Sequence, residues 1–202
     1  MKDTYWEKLG ESGNYQMGPQ GHRVELANIL KAYQVRTVLE VGCGTGSFFE
    51  VLRDSGWIGK YKGTDYTERF VDTCKKNFPG INWEVQDARK LKEKDNSWDA
   101  IVLVHTLDHI DKYYEALEEA YRVCKKYVFI VLWRPFAEGA DNNLNSSGFI
   151  DNHNYEDTHL IDFNKQVLDM DITEAGFNIL DEQEIGKEKY NYLYVLEKGS
   201  HA

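Results

Sequence analysis

Short apolar runs alternate with amphipathic runs along most of the chain, the pattern of a parallel sheet whose strands are joined by crossover helices. The first helical face is carried by Val24, Leu26, Ala27, Leu30 and Tyr33. The run Thr37 to Val41 then stops at glycine and predicts a buried strand. A helix is expected from about Ser47 to Ser55, a second strand over Lys60 to Asp65, and a helix from Glu68 to Phe78 ended by Pro79-Gly80. Ile81 to Gln86 alternates and predicts the third strand. Trp98 to Val104 is apolar and β-branched enough for a central strand, and Lys112 to Cys124 follows with helical spacing in Tyr113, Leu117, Ala120 and Val123. Tyr127 to Trp133 makes a fifth strand, ended by Arg134-Pro135. Asn164 to Ala175 gives a last helix stopped by Gly176, with closing strands near Phe177 to Glu184 and Tyr190 to Glu197. Between the fifth strand and the last helix, Phe136 to Asp162 is rich in Asn, Asp, Gly and Ser, and loops of that length inside compact domains tend to serve function.

With 202 residues, 42% of them hydrophobic, the chain can bury one core comfortably and not two. A single domain over residues 1–198 is expected, in which residues 1–34 form an N-terminal cap and residues 136–162 an insertion on the substrate side. Gly199-Ser200-His201-Ala202 follows a complete strand pattern and reads as an appended tail. A net charge of −10 and a pI near 5.1 argue against a long basic track for a phosphate backbone, so nucleic acid is disfavoured as a partner. No segment approaches the roughly 18 uninterrupted apolar residues of a membrane span, and MKDTYWEKLG lacks the layout of a secretion signal. The expected compartment is the cytoplasm, with no membrane partner. Cys43, Cys74 and Cys124 lie far apart, odd in number and without a CxxC pair, which fits reduced thiols better than disulfides or a metal site.

The chemistry concentrates in Val38-Leu39-Glu40-Val41-Gly42-Cys43-Gly44-Thr45-Gly46, an apolar strand running into three alternate glycines and then a helix. Glycines stand where backbone turns tightly and a ligand approaches to contact distance. The spacing is G-x-G-x-G, and Ser47 occupies the place of the third glycine or alanine in the dinucleotide fingerprint. Asp65 ends the second strand, where a carboxylate can accept from both ribose hydroxyls of an adenosine. Asp87 ends the third, where its carboxylate can accept from an adenine amino group while the Ala88 N–H donates to the ring. All three strand ends lie on the carboxyl edge of the sheet, where open α/β sheets bind ligands.

These segments resemble the class I S-adenosylmethionine-dependent methyltransferases, in particular the type 11 group of small members. VLEVGCGTG matches their first motif, and the acidic strand ends in KGTDYT and EVQDARKL match the next two. WDAIVLVHTLDHI is similar to the family's fourth-strand segment, with Asp108 where glutamate is usual. EEAYRVCKKYVFIVLW resembles the following helix and strand, without the common proline-glycine-glycine turn, and HLIDFNKQVLDMDITEAGF resembles the late helix and its A-G-F turn. The resemblance implies a Rossmann-like α/β fold with a seven-stranded, mostly parallel sheet in the order 3-2-1-4-5-7-6 and helices on both faces. It implies S-adenosyl-L-methionine as cofactor, with Gly42, Cys43, Gly44 and Gly46 beneath its methionine portion and Glu40 ordering its amino group. Asp65 and Tyr66 would hold the ribose, Asp87 and Ala88 the adenine, and His105 would lie near the reactive sulfonium.

Methyl transfer is an in-line displacement in which alignment accounts for much of the barrier reduction, so a general base is needed only where the acceptor must lose a proton. Candidates for that role are His105, His109, His153 and His159, with Tyr15 and Tyr155 positioning the acceptor or covering the cofactor. For each histidine the competing reading is structural packing or a solvated surface. Tyr5, Trp6 and Tyr15 form either an aromatic lid or a helix packed on the core. The function expected is methyl transfer to a small-molecule acceptor by a monomer or homodimer. The alternatives are methylation of a macromolecule, a protein that binds S-adenosylmethionine or S-adenosylhomocysteine without turnover, and an NAD-dependent oxidoreductase, against which the glycine spacing and Asp87 argue.

Overall fold

A computed structural model describes residues 6–9, 20–133, 136, 144–145, 160–187 and 190–199. Among the described residues, the helices α1 (Gly21–Ala32), α2 (Ser47–Asp54), α3 (Glu68–Asn77), α4 (Tyr113–Val123) and α5 (Lys165–Glu174) cover a seven-stranded sheet. The strands are β1 (Thr37–Val41), β2 (Lys60–Asp65), β3 (Asn82–Val85), β4 (Trp98–Val104), β5 (Cys124–Leu132), β6 (Phe177–Glu184) and β7 (Tyr192–Lys198). They form one sheet in the order β3-β2-β1-β4-β5-β7-β6. The first five pair in parallel, and β7 runs antiparallel between β5 and β6. The expected Rossmann-like architecture and strand order are therefore present.

Alternation along the central strands sends side chains to two cores. Val102 and Val104 of β4 join Leu26, Phe48 and Val71 from α1, α2 and α3 on one face. Ile101 and Leu103 join Leu117, Leu168 and Ile172 from α4 and α5 on the other. This two-sided burial is why β4 and β5 read as nearly continuous apolar runs.

Several expectations are corrected. α4 passes into β5 without a turn: Cys124, its C-cap, is already extended at φ −73°, ψ 145°, so β5 begins three residues before Tyr127. Lys125 and Lys126 are exposed at the strand's start and hid it from an apolar pattern. The buried face of α1 also differs from the expected one. Val24 is 44% exposed, whereas His22 and Arg23 are buried. α5 starts one residue late because Asn164 caps it, its side chain accepting from Gln166 N and Val167 N. Within the long loop, Leu144–Asn145 pairs antiparallel with Leu160–Ile161, and Phe136 packs 4.9 Å from Tyr192. Gly199, placed in the expected tail, donates its N–H to Gly176 O and accepts from Tyr121 Oη. Among the described residues no helix is long and apolar enough to cross a membrane.

Candidate active site

The carboxyl ends of β1, β2 and β4 and the turn after β3 face one cavity. From Val41 the chain turns through Gly42, Gly44 and Gly46 at φ +78°, +52° and +85°, all left-handed. A Cβ on Gly42 would lie 2.2 Å from Thr106 Oγ1, and one on Gly46 2.8 Å from the Phe78 ring. Gly42 and Gly44 form the cavity wall, whereas Gly46 packs behind the turn at the N-cap of α2. Gly42 N and Cys43 N both donate to Thr64 O, at 2.8 and 2.9 Å, which ties the turn to β2.

Asp65 organises the next wall. Its Oδ2 accepts from Gly44 N and its Oδ1 from Thr67 N, each at 2.8 Å. Burial pushes its carboxyl above the usual range, and those N–H groups offset part of the rise. Each oxygen retains a further acceptor site for a ligand hydroxyl. Tyr66 is 40% exposed beside it on the rim.

At the other end of the turn, Glu40 is buried and accepts from Tyr61 Oη. Burial pushes its carboxyl up to about 8, against the Tyr61 bond and the nearby Arg23. Arg23, 5% exposed, lines the same cavity, donating from Nη1 to Gln20 Oε1 at 2.6 Å and to His22 Nε2 at 3.1 Å. A guanidinium and a carboxyl at one end of a pocket suit a ligand bearing both a carboxylate and an amine. Arg23 was not foreseen. Its signal was an arginine inside the buried stripe of a helix, where a satisfied charge is required.

Beyond Asp65, both oxygens of Asp87 are held by Arg89: N and Nε reach Oδ1 at 2.9 and 3.0 Å, and Nη2 reaches Oδ2 at 2.8 Å. Burial opposes the ionised form, but Arg89 outweighs it and holds Asp87 below the usual range. Arg89 Nη1 continues to Asp111 Oδ1 at 2.8 Å, a link the sequence reading missed. Ala88 lines this end, under a roof in which Trp6 packs 4.7 Å from His109 and 6.4 Å from Phe70. Cys43 lines the wall as a neutral thiol, because burial pushes it well above its ordinary value.

His105, directly after β4, lines the cavity with φ +52°. Its ring lies 4.7 Å from that of His22 and 6.2 Å from Trp133, and its Nε2 is 2.7 Å from Asn191 Oδ1. Burial holds it well below its ordinary pKa, with His22 and Arg23 adding to the shift, and burial lowers His22 to about 4. Both rings are neutral at pH 7. Tyr5, Tyr15, His153, Tyr155 and His159 lie outside the described residues.

The cavity thus runs from a paired cation and carboxyl, past a glycine turn with no side chain in the way, to two carboxylates and an aromatic roof. An adenosine linked through sulfur to an amino acid presents the matching groups in the matching order: an amine and carboxylate, two vicinal hydroxyls, and a flat base. The residues fit that group.

Comparisons with known proteins agree. Residues 39–132 match a family described as a methyltransferase domain. A ubiquinone/menaquinone biosynthesis C-methyltransferase, UbiE, from Desulfotalea psychrophila is 33% identical over 90 residues, 44% of this chain and 37% of that protein. A demethylmenaquinone methyltransferase from Oceanobacillus iheyensis is 27% identical over 124 residues, 57% of this chain and 52% of that protein. The chain spans about half the length, or less, of these curated relatives. A SAM-dependent methyltransferase from Aquifex aeolicus superposes with a TM-score of 0.66 over 98% of each chain at 20% identity, which is a likeness of fold.

Proposed function

We propose that the chain, whose residues 39–132 match a methyltransferase domain family, transfers a methyl group from S-adenosyl-L-methionine to a small-molecule acceptor. The observation that carries this reading is the continuous wall from Arg23 and Glu40 through Gly42 and Gly44 to Asp65 and Asp87. When bound, the cofactor supplies a sulfonium whose methyl carbon is electrophilic. Everything else falls to the chain. Arg23 takes the carboxylate of the amino-acid portion, and Glu40, once deprotonated, takes its amine. Asp65 accepts from the ribose hydroxyls with a carboxylate already aimed by Gly44 N and Thr67 N. Asp87 and Ala88 hold the adenine edge beneath Trp6. Fixing the donor this way leaves the end near His105 and Thr106 open for the acceptor, and alignment of donor and acceptor supplies the rate enhancement.

The names of the relatives add an acceptor class: a quinone-type ring, methylated at carbon in the case of UbiE. Isothermal titration with S-adenosylmethionine, S-adenosylhomocysteine and NAD tests the cofactor, and transfer of labelled methyl to a demethylated quinol tests the acceptor class. Binding of the two adenosyl-sulfur ligands without NAD is expected. Binding of NAD alone, or of none of the three, would overturn the reading.

A further inference from the structure

His105 holds a backbone state that a residue with a Cβ adopts only when its surroundings over-determine it. Two bonds do so. Its N–H donates to Val131 O at 2.8 Å, and its Nε2 lies 2.7 Å from Asn191 Oδ1. Asn191 is itself buried, between β6 and β7, and its backbone carbonyl accepts from Ile185 N at 2.9 Å. An amide oxygen only accepts, so the ring proton sits on Nε2 and the lone pair of the neutral ring on Nδ1. Among the described residues Nδ1 has no hydrogen-bond partner. The cavity that His105 lines is where a partner for it can sit.

The titratable and charged groups facing this ring are His22 and Arg23 from α1 and His109 from the segment after β4. Trp133 at the end of β5 and Asn191 complete its surroundings. An acceptor arriving as an ammonium ion would meet Arg23, whereas a neutral O–H meets a lone pair.

We propose that His105 Nδ1 is the proton acceptor for a neutral methyl acceptor bearing an acidic hydroxyl, an enol or a phenol, and that Asn191 is the positioning residue that fixes the required tautomer. This rests on the methyltransferase reading above. In the step, the acceptor's O–H bond breaks, the proton passes to Nδ1, and the electron pair stays with the acceptor. From oxygen, or through conjugation from a ring carbon, a pair forms the new bond to the methyl carbon, while the methyl–sulfur bond breaks with its pair left on sulfur. The imidazolium then releases its proton to water. A base held this firmly neutral is too weak for an aliphatic alcohol, which is why the hydroxyl must be acidic.

The test is nitrogen-15 NMR of the full chain labelled at histidine, saturated with S-adenosylhomocysteine and titrated with phenol. In the unsubstituted protein His105 is expected to be protonated at Nε2 and unprotonated at Nδ1, and phenol is expected to move the Nδ1 resonance. Asn191→Ala should mix the two tautomers. Asn191→Asp should keep Nε2 protonated and raise the pH at which the ring becomes cationic, moving the acidic limb of the pH–rate profile with it. His105→Ala should lower turnover of a phenolic acceptor by about a hundredfold or more. A ring protonated at Nδ1 in the unsubstituted protein, or ring nitrogens that ignore phenol while S-adenosylhomocysteine binds, would overturn the inference. Failure of S-adenosylhomocysteine to bind would instead overturn the methyltransferase reading.

Discussion

At the scale of single residues, Glu40 couples the cavity to pH. Its carboxyl titrates near 8 in the folded protein against 4.5 ordinarily, so between those values the fold holds a proton that the unfolded chain has lost. Stability from this group is complete below about pH 4.5 and falls as pH rises toward 8, at roughly 1.4 kcal/mol per pH unit. His22, lowered from 6.5 to about 4, acts oppositely, and its contribution is lost as pH falls through that window. Above pH 6.5 only the Glu40 slope remains of these two. Urea titrations from pH 6.5 to 8 should therefore show stability falling by about 2 kcal/mol, and Glu40→Gln should flatten the curve. An amine-bearing ligand at Glu40 should also release a proton on binding near pH 7, which calorimetry in buffers of different ionisation enthalpy reads directly. Gly42→Ala puts a methyl 2.2 Å from Thr106 Oγ1 at a positive φ, and it is expected to cost about 1–3 kcal/mol and abolish binding of S-adenosylhomocysteine. Glycine and aspartate were legible at these positions because strand ends and turns have few chemical solutions. Arg23, Arg89 and Asn191 were not. No local pattern marks the two arginines as parts of a cavity wall, and the partner of Asn191 is 86 residues away.

Among the elements, β2 and β3 are joined by more than their ladder. Lys62, with its side chain 8% exposed, lies 2.6 Å from Glu84 and 2.5 Å from Glu93. Glu93 also accepts from Trp98 Nε1 at 3.0 Å and Gln86 Nε2 at 3.1 Å, so this buried network braces the residue next to Asp87. Lys62→Met would leave Glu93, 13% exposed, without its cation, and is expected to destabilise the fold by about 3 kcal/mol. Adding Glu93→Gln should recover part of that loss in a double-mutant cycle; equal and additive losses would show that the pair is not coupled. Element type was readable from period and punctuation: β1, β2, β4 and β6 have the expected bounds. What failed was local. The start of β5 was concealed by two exposed lysines, and the face of α1 was misjudged because its buried side includes His22 and Arg23.

For the molecule as a whole, the cavity is an open edge of the sheet whose walls come from distant parts of the chain, so a ligand that joins them stabilises the fold by mass action. S-adenosylhomocysteine at a hundred times its dissociation constant should add about 2.7 kcal/mol, a rise in melting temperature of roughly 5–10 °C for a chain of this size. No rise at that excess would mean that the ligand does not select the folded state. The strand order was foreseen through the resemblance to the class I methyltransferases, which implies the order the sheet has. The His105 end of the cavity was not, since it is assembled by contacts that no local pattern records.

One such contact joins α1 to the segment between β6 and β7. Gly186 N donates to Glu25 Oε2 at 3.0 Å across a separation of 161 residues, and a Cβ on Gly186 would lie 2.9 Å from His22 N. In chain order, therefore, the glycine turn and Asp65 come well before Asn191, whose side chain contacts His105. A chain cut before β6 would keep every residue of the glycine turn and both acidic strand ends but lose the contact to His105, so the two ends of the cavity draw on different stretches of the sequence.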